Sequence, residues 1–202
     1  MMIGQQILLY FAILLFIVFA TVYFGLRRKL YRMFAVMAGA WVVIIDQYAK
    51  RAVAQSLALG ETAELLPGFV RLERVHNYGA AWSSLSGARW LLIVVTAAGL
   101  GVLIWLLNRI VRHPLGIWSL ALVIGGGIGN LIDRVLNGYV VDMLAFEFIS
   151  FPVFNIADIF VTCGTIAAAV YYLRYYEKSD AKNWEKNKKD GTDPADNGTG
   201  QK

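Results

Sequence analysis

Gly125-Gly126-Gly127-Ile128-Gly129-Asn130-Leu131-Ile132-Asp133-Arg134 carries an apolar segment out into charge. Phe154-Asn155-Ile156-Ala157-Asp158 then leads from a polar stretch back into a second apolar segment, and Val140-Val141-Asp142 lies between the two. Three aspartates, Asp133, Asp142 and Asp158, thus crowd one short part of an otherwise oily chain. Carboxylates this near lipid are costly and are functional candidates by default. The remaining chain reads as scaffold that brings them together.

Composition supports that reading. Of 202 residues, 58% are hydrophobic and 16% charged, against about 25% charged in a soluble domain. One compact mainly α, polytopic membrane domain fits the length. The single cysteine, Cys163, excludes an intramolecular disulfide, and two histidines, His76 and His113, without a Cys/His cluster argue against a metal site. The net charge of +5 sits in short blocks beside apolar segments, which points to membrane orientation and away from nucleic acid.

Five spans are expected: 7–26, 34–54, 90–107, 116–132 and about 154–176. No Lys or Arg precedes the first, and it exceeds a usual signal-peptide core, so it reads as a retained helix. Arg27-Arg28-Lys29 with Arg32, the loop Asn108 to Pro114, and Arg174, Lys178 and Lys182 are the basic blocks. Placing them all in the cytoplasm puts the N-terminus out and the C-terminus in. Asp46, Lys50, Asn77, Asn130, Asp133, Arg134, Asp142, Asn155 and Asp158 then share the outer face. The chain divides into 1–33 (an extra N-terminal helix and basic loop), a catalytic membrane domain at 34–178, and a disordered charged tail at 179–202.

Between the second and third spans, Pro67-Gly68 marks a turn and the partial alternation of 69–75 predicts a strand. Trp82 and Trp90 suit an interfacial belt. Residues 135–153 are expected as an outer loop, with Phe146, Phe148 and Phe151 at the interface and Pro152 where helix restarts. Glycines 125, 126, 127 and 129 permit close helix contact; a P-loop is disfavoured because its lysine and Ser/Thr are missing.

Asp46 and Lys50 are four apart and can pair on one helix face. Asn130 and Asp133, and Asn155 and Asp158, are three apart, so each pair would point to one side of a helix. Asp158 falls one turn inside its span, at the positive end of the helix dipole. Two such carboxylates would hold one proton between them and could activate water and protonate a leaving amine. On physical grounds alone an ion-pair scaffold is equally open, with Arg134, Lys50, Arg71 and Arg74 as partners. A proton-translocating protein is weaker, since the acids cluster at one face. A serine nucleophile at Ser83-Ser84 lacks an evident base beyond His76.

Five motifs occur in order: Asp46-Gln47-Tyr48-Ala49-Lys50, Asn77-Tyr78-Gly79-Ala80-Ala81-Trp82, Gly129 to Arg134, Val140-Val141-Asp142 and Phe154 to Asp158. Each is weak alone; as a set, over residues 36–176, they resemble the bacterial signal peptidase II family of lipoprotein signal peptidases. The resemblance implies a metal-free, cofactor-free intramembrane aspartic endopeptidase. It would cut diacylglyceryl-modified prolipoproteins just before the lipidated cysteine, at the outer face of the bacterial cytoplasmic membrane. It implies Asp142 and Asp158 as the catalytic pair; spacing alone does not choose Asp142 over Asp133. Asp46, Lys50, Asn77, Gly79, Asn130, Asp133, Arg134, Asn155 and Ala157 would bind substrate or support the pair. It further implies a small extracytoplasmic β-cradle, contact with membrane lipid, and inhibition by globomycin-type cyclic peptides. The chain departs from the family pattern in its extra span at 7–26, beside the usual four, and in Met143, where Phe is common.

Overall fold

The computed structural model describes residues 30–79 and 87–181, with side chains to residue 176, and scattered positions between 12 and 23. The expected first span is described only at those scattered positions. The rest of it lies outside the described residues, as do the basic block 27–29, the stretch 80–86 with Trp82, Ser83 and Ser84, and the chain beyond 181.

Among the described residues four helical segments are long and apolar enough to cross a membrane: α1 (Tyr31–Ser56), α2 (Arg89–Arg109), α3 (Pro114–Leu136), and α4 (Ile156–Tyr171) together with the wider π-type winding from Tyr172 to Ala181 that continues it, the span running Ile156–Tyr176. Helix is what an apolar segment must adopt in lipid, because only then does the backbone satisfy itself. Among the described residues three antiparallel strands, β1 (Thr62–Leu66), β2 (Val70–Asn77) and β3 (Val140–Phe146), form one small sheet in that order. The strand expected at 69–75 is β2. The outer loop expected at 135–153 is not a loop throughout, since 140–146 pairs with β2. Its Val-Val-Asp start hid an alternation that only a neighbouring strand makes useful.

Helix α3 is central and packs against α1, α2 and α4. The glycines explain how. A Cβ on Gly125 would stand 2.5 Å from the Gly39 carbonyl oxygen of α1, and one on Gly126 would stand 2.5 Å from the Ala157 carbonyl oxygen of α4. Backbones approach this closely only where both surfaces are small. The α3 helix also runs past 132 to Leu136, so Asp133 and Arg134 belong to its last turn; neither Gly nor Pro falls between Asn130 and Gly138.

One apolar core joins α1 and α4 to the sheet through Val42, Val53, Leu72, Met143, Ile156 and Phe160. Met143 is fully buried there, so the departure at that position is accommodated in the core and not on the cavity side. Phe146 packs with Phe148, Phe151 and Phe154, while Phe148 and Phe151 stay exposed. Pro152 does not begin the last helix. Phe154 first pairs with Leu144 in a short bridge, and Asn155 caps α4. That bridge brings the starts of α4 and the middle of β3 side by side.

Candidate active site

The polar residues gather at one end of the bundle, from the C-terminal ends of α1 and α3, the N-terminal end of α4, and the sheet. At its centre is Lys50. Its Nζ lies 2.8 Å from Asp46 Oδ2 and 3.2 Å from Asp133 Oδ2, and donates to Asn130 Oδ1 at 2.9 Å. Lys50, Asp46 and Asp133 are all buried. The pairing of Asp46 with Lys50 follows the four-residue spacing; that of Asp133 joins α1 to α3.

The same two carboxylates reach further. Asp46 Oδ1 accepts from the Ala157 N–H at 2.9 Å, and Asp133 Oδ2 accepts from the Val141 N–H at 3.0 Å. One buried cation thus holds two anions, and each anion grips the backbone next to another aspartate: Ala157 beside Asp158, Val141 beside Asp142. Gln47 completes the cluster by donating to Gly129 O at 3.1 Å and Asp133 Oδ1 at 2.9 Å. The sequence alone gives Gln47 no role, although its three-residue spacing from Lys50 places both on one side of α1.

Asp142 and Asp158 are held differently. Asn77 Nδ2 donates to Asp142 Oδ2 at 2.9 Å and Asn155 Nδ2 to Asp142 Oδ1 at 2.7 Å. Asn130 Nδ2 donates to Asp158 Oδ1 at 2.8 Å. Asn155 also donates to Asn130 Oδ1 at 3.1 Å, so one chain of amides runs from Asp142 to Asp158. Asn155 and Asp158 form a reciprocal capping box: the Asp158 N–H donates to Asn155 Oδ1 at 3.0 Å, and the Asn155 N–H to Asp158 Oδ2 at 3.1 Å. Among the described residues neither Asp142 nor Asp158 has an ion-pair partner, whereas Asp46 and Asp133 share one. The four acids separate into an ion-paired scaffold and an amide-held pair.

Burial, and after it the charge of Asp158, pushes the Asp142 carboxyl up to about 6; the Asn77 and Asn155 hydrogen bonds oppose the rise.

Which residue of β2 meets Asp142 depends on one extra residue. Leu72 stands opposite Leu144, but Val75 stands opposite Asp142, so Glu73 and Arg74 together face Met143 alone. Without that bulge Arg74 would lie opposite Asp142 and His76 would share its face. With it, Asn77 does. His76 instead stacks on Tyr139 with ring centroids 3.8 Å apart, and burial and the nearby Arg74 charge hold its imidazole below its ordinary value.

The other cations bond to other groups. Arg71 pairs with Glu73, Arg74 donates to the carbonyls of Ala54 and Leu57, and Arg134 Nη2 donates to Gly79 O at 2.9 Å. The Gly79 N–H in turn donates to Asn77 Oδ1 at 2.9 Å, which aims the Asn77 amide at Asp142. Asp142, Asp158, Asn77, Asn130, Arg134 and Asn155 line one cavity of about 590 Å³. Its further wall is apolar, with Phe146, Phe151, Ile159 and Val161.

A sequence model of signal peptidase II matches residues 38–174. The chain belongs to the signal peptidase II family. The lipoprotein signal peptidase of Enterococcus faecalis is 42% identical over 140 residues, covering 68% of this chain and 86% of that protein. That of Symbiobacterium thermophilum is 43% identical, covering 65% and 89%. A solved bacterial membrane enzyme superposes with a TM-score of 0.67 at 32% identity, over 69% of this chain and 87% of the other. As a signal peptidase II, the chain is a multi-pass membrane protease of lipoprotein processing.

Proposed function

We propose that this signal peptidase II is an aspartic endopeptidase in which Asp142 and Asp158 act on one water, and that it cuts diacylglyceryl-modified prolipoproteins just before the lipidated cysteine. The carrying observation is the sorting of the acids. Among the described residues Asp142 and Asp158 accept hydrogen bonds from amide donors alone and share a cavity, while Asp46 and Asp133 are spent on Lys50. The ion-pair account therefore describes Asp46 and Asp133 and leaves the other two unexplained.

The roles follow from the surroundings. Asp142 is buried and pushed up to about 6, so it is the member that holds the shared proton. Asp158 sits in the first turn of α4 and accepts from Asn130 and the Asn155 N–H, a setting built for an acceptor. Asp158 takes a proton from water as the water oxygen bonds to the scissile carbonyl carbon, and the Asp142 proton goes to the carbonyl oxygen. The resulting diol then returns one proton to Asp142 while Asp158 protonates the amide nitrogen, and the C–N bond breaks. Both carboxyls end as they began. Both Asp142 oxygens accept from amide N–H groups, which favour its ionised form, and burial with the Asp158 charge outweighs them.

A polar pair beside an apolar wall fits a peptide delivered from lipid, with the site at the outer face of the cytoplasmic membrane and the sheet lying against the bilayer. A globomycin-type cyclic peptide would compete for the same cavity. The test is a gel-shift assay with a diacylglyceryl-modified prolipoprotein in detergent. Asp142→Asn and Asp158→Asn should each abolish cleavage while eluting as folded protein. Turnover retained by either variant would refute the pair.

A further inference from the structure

Arg89 breaks two local rules at once. It lies in the first turn of α2, where a positive charge opposes the helix dipole, and α2 has no acidic residue in that turn and no side-chain cap. It also lies on the same side of the bundle as the aspartates, opposite the ends where the chain's basic blocks are expected. A residue placed against such preferences has a compensating task.

The task is visible in its contacts. Arg89 Nε donates to Arg134 O at 2.9 Å and Nη2 to Val135 O at 2.8 Å. These carbonyls belong to the last turn of α3, where helix oxygens lack intrahelical partners and carry the negative end of the dipole. The flat guanidinium also lies along the turn that follows. Gly138 has φ +85, and a Cβ there would stand 3.3 Å from Arg89 Nη1. Two residues later β3 begins, and two after that comes Asp142.

Two routes lead from this contact to Asp142. One is the short covalent path through Gly138 into β3. The other starts at Arg134, whose backbone Arg89 holds and whose side chain bonds Gly79 O; Gly79 orients Asn77, and Asn77 bonds Asp142. Helix α2 supplies no residue to the cavity lining, and Arg89 ties its start to the end of α3 beside the site.

We propose that Arg89 is a positioning residue of the protease, fixing the α3–β3 turn so that Asp142 and Arg134 stay in register with Asp158. The proposal rests on the aspartate pair described above. It assigns Arg89 no contact with substrate.

The test is steady-state cleavage of a diacylglyceryl-modified prolipoprotein by the full chain in detergent, with activity expressed per folded molecule. Arg89→Ala should lower kcat roughly 10–100-fold, the loss expected from a misplacement of about 1 Å, and leave KM within about 3-fold. The limb of the pH–rate profile that reports Asp142 should move. Arg89→Lys should recover only part of kcat, because one ammonium cannot make the two parallel bonds. Gly138→Ala should reproduce the Arg89→Ala profile. An unchanged kcat, or a loss that tracks the folded fraction with an unmoved pH profile, would overturn the proposal. Asp142→Asn is run alongside: if it retains turnover the aspartate pair itself fails, whatever Arg89 does.

Discussion

Replacing Lys50 by Met removes the cation that two buried carboxylates share, at 2.8 Å and 3.2 Å. Both anions stay buried, and each keeps a backbone N–H, from Ala157 or Val141. Breaking a buried pair by removing one partner costs about 3–5 kcal/mol. An orphaned carboxylate can escape that cost by taking a proton. For an acid with a reference value near 3.9, that costs about 4 kcal/mol at pH 7, at 1.36 kcal/mol per unit. The two figures agree, so Lys50→Met should lose about 4 kcal/mol at pH 7. The loss should shrink by roughly 1.4 kcal/mol for each unit the pH is lowered toward 5. Adding Asp46→Asn to Lys50→Met should restore a large part, since the amide oxygen can still accept from Ala157 and one anion fewer is stranded. The assay is denaturant unfolding in detergent micelles, followed by tryptophan fluorescence at pH 7 and pH 5, with cleavage measured in parallel. A Lys50→Met protein within about 1 kcal/mol of wild type at pH 7, or one whose deficit ignores pH, would refute the claim that this cation holds the site together.

Because Asp142 is pushed up from 3.8 to about 6, the folded state binds its proton more tightly than the unfolded chain does. Stability from this group should therefore fall by about 3 kcal/mol as pH rises from 4 through 6, and cleavage that needs the shared proton should decline above about 6; a flat pH–rate profile between 5 and 8 would contradict it. Asn77→Ala deletes a donor that favours the charged Asp142, so the pH midpoint should move upward and kcat should fall, read from the same profile. Gly125→Ala drives a Cβ onto the Gly39 backbone and should cost about 1–3 kcal/mol in micelle unfolding, whereas Gly99→Ala meets nothing within 4 Å and should be neutral or slightly stabilising.

Local chemistry was legible wherever its partners lay within one helical turn. Asp46 with Lys50 follows from a spacing of four, because a helix makes such neighbours by its own geometry; Asn155 and Asp158 also meet, but as the cap and third residue of α4 and not on one helix face. The apolar runs that became α1 to α4 were equally plain, since lipid leaves the backbone no alternative. Their ends were less so: α3 continues through Asp133, and α4 waits for the Asn155 cap instead of starting at Pro152.

Sequence by itself thus determined a membrane bundle with acids at one end, and the resemblance carried by its motifs named the family. Only the tertiary structure decided which partners each acid meets. Asp133 and Asp142 look alike in the chain. They part because Lys50, eighty-three residues before Asp133, reaches Asp133, while Asn77 and Asn155 reach Asp142. Asn77 over His76 was implied by the resemblance alone; its physical reason is a single bulge that exists only once β2 pairs with β3. An isolated strand has two equivalent faces, and only its partner's register says which one meets the aspartate.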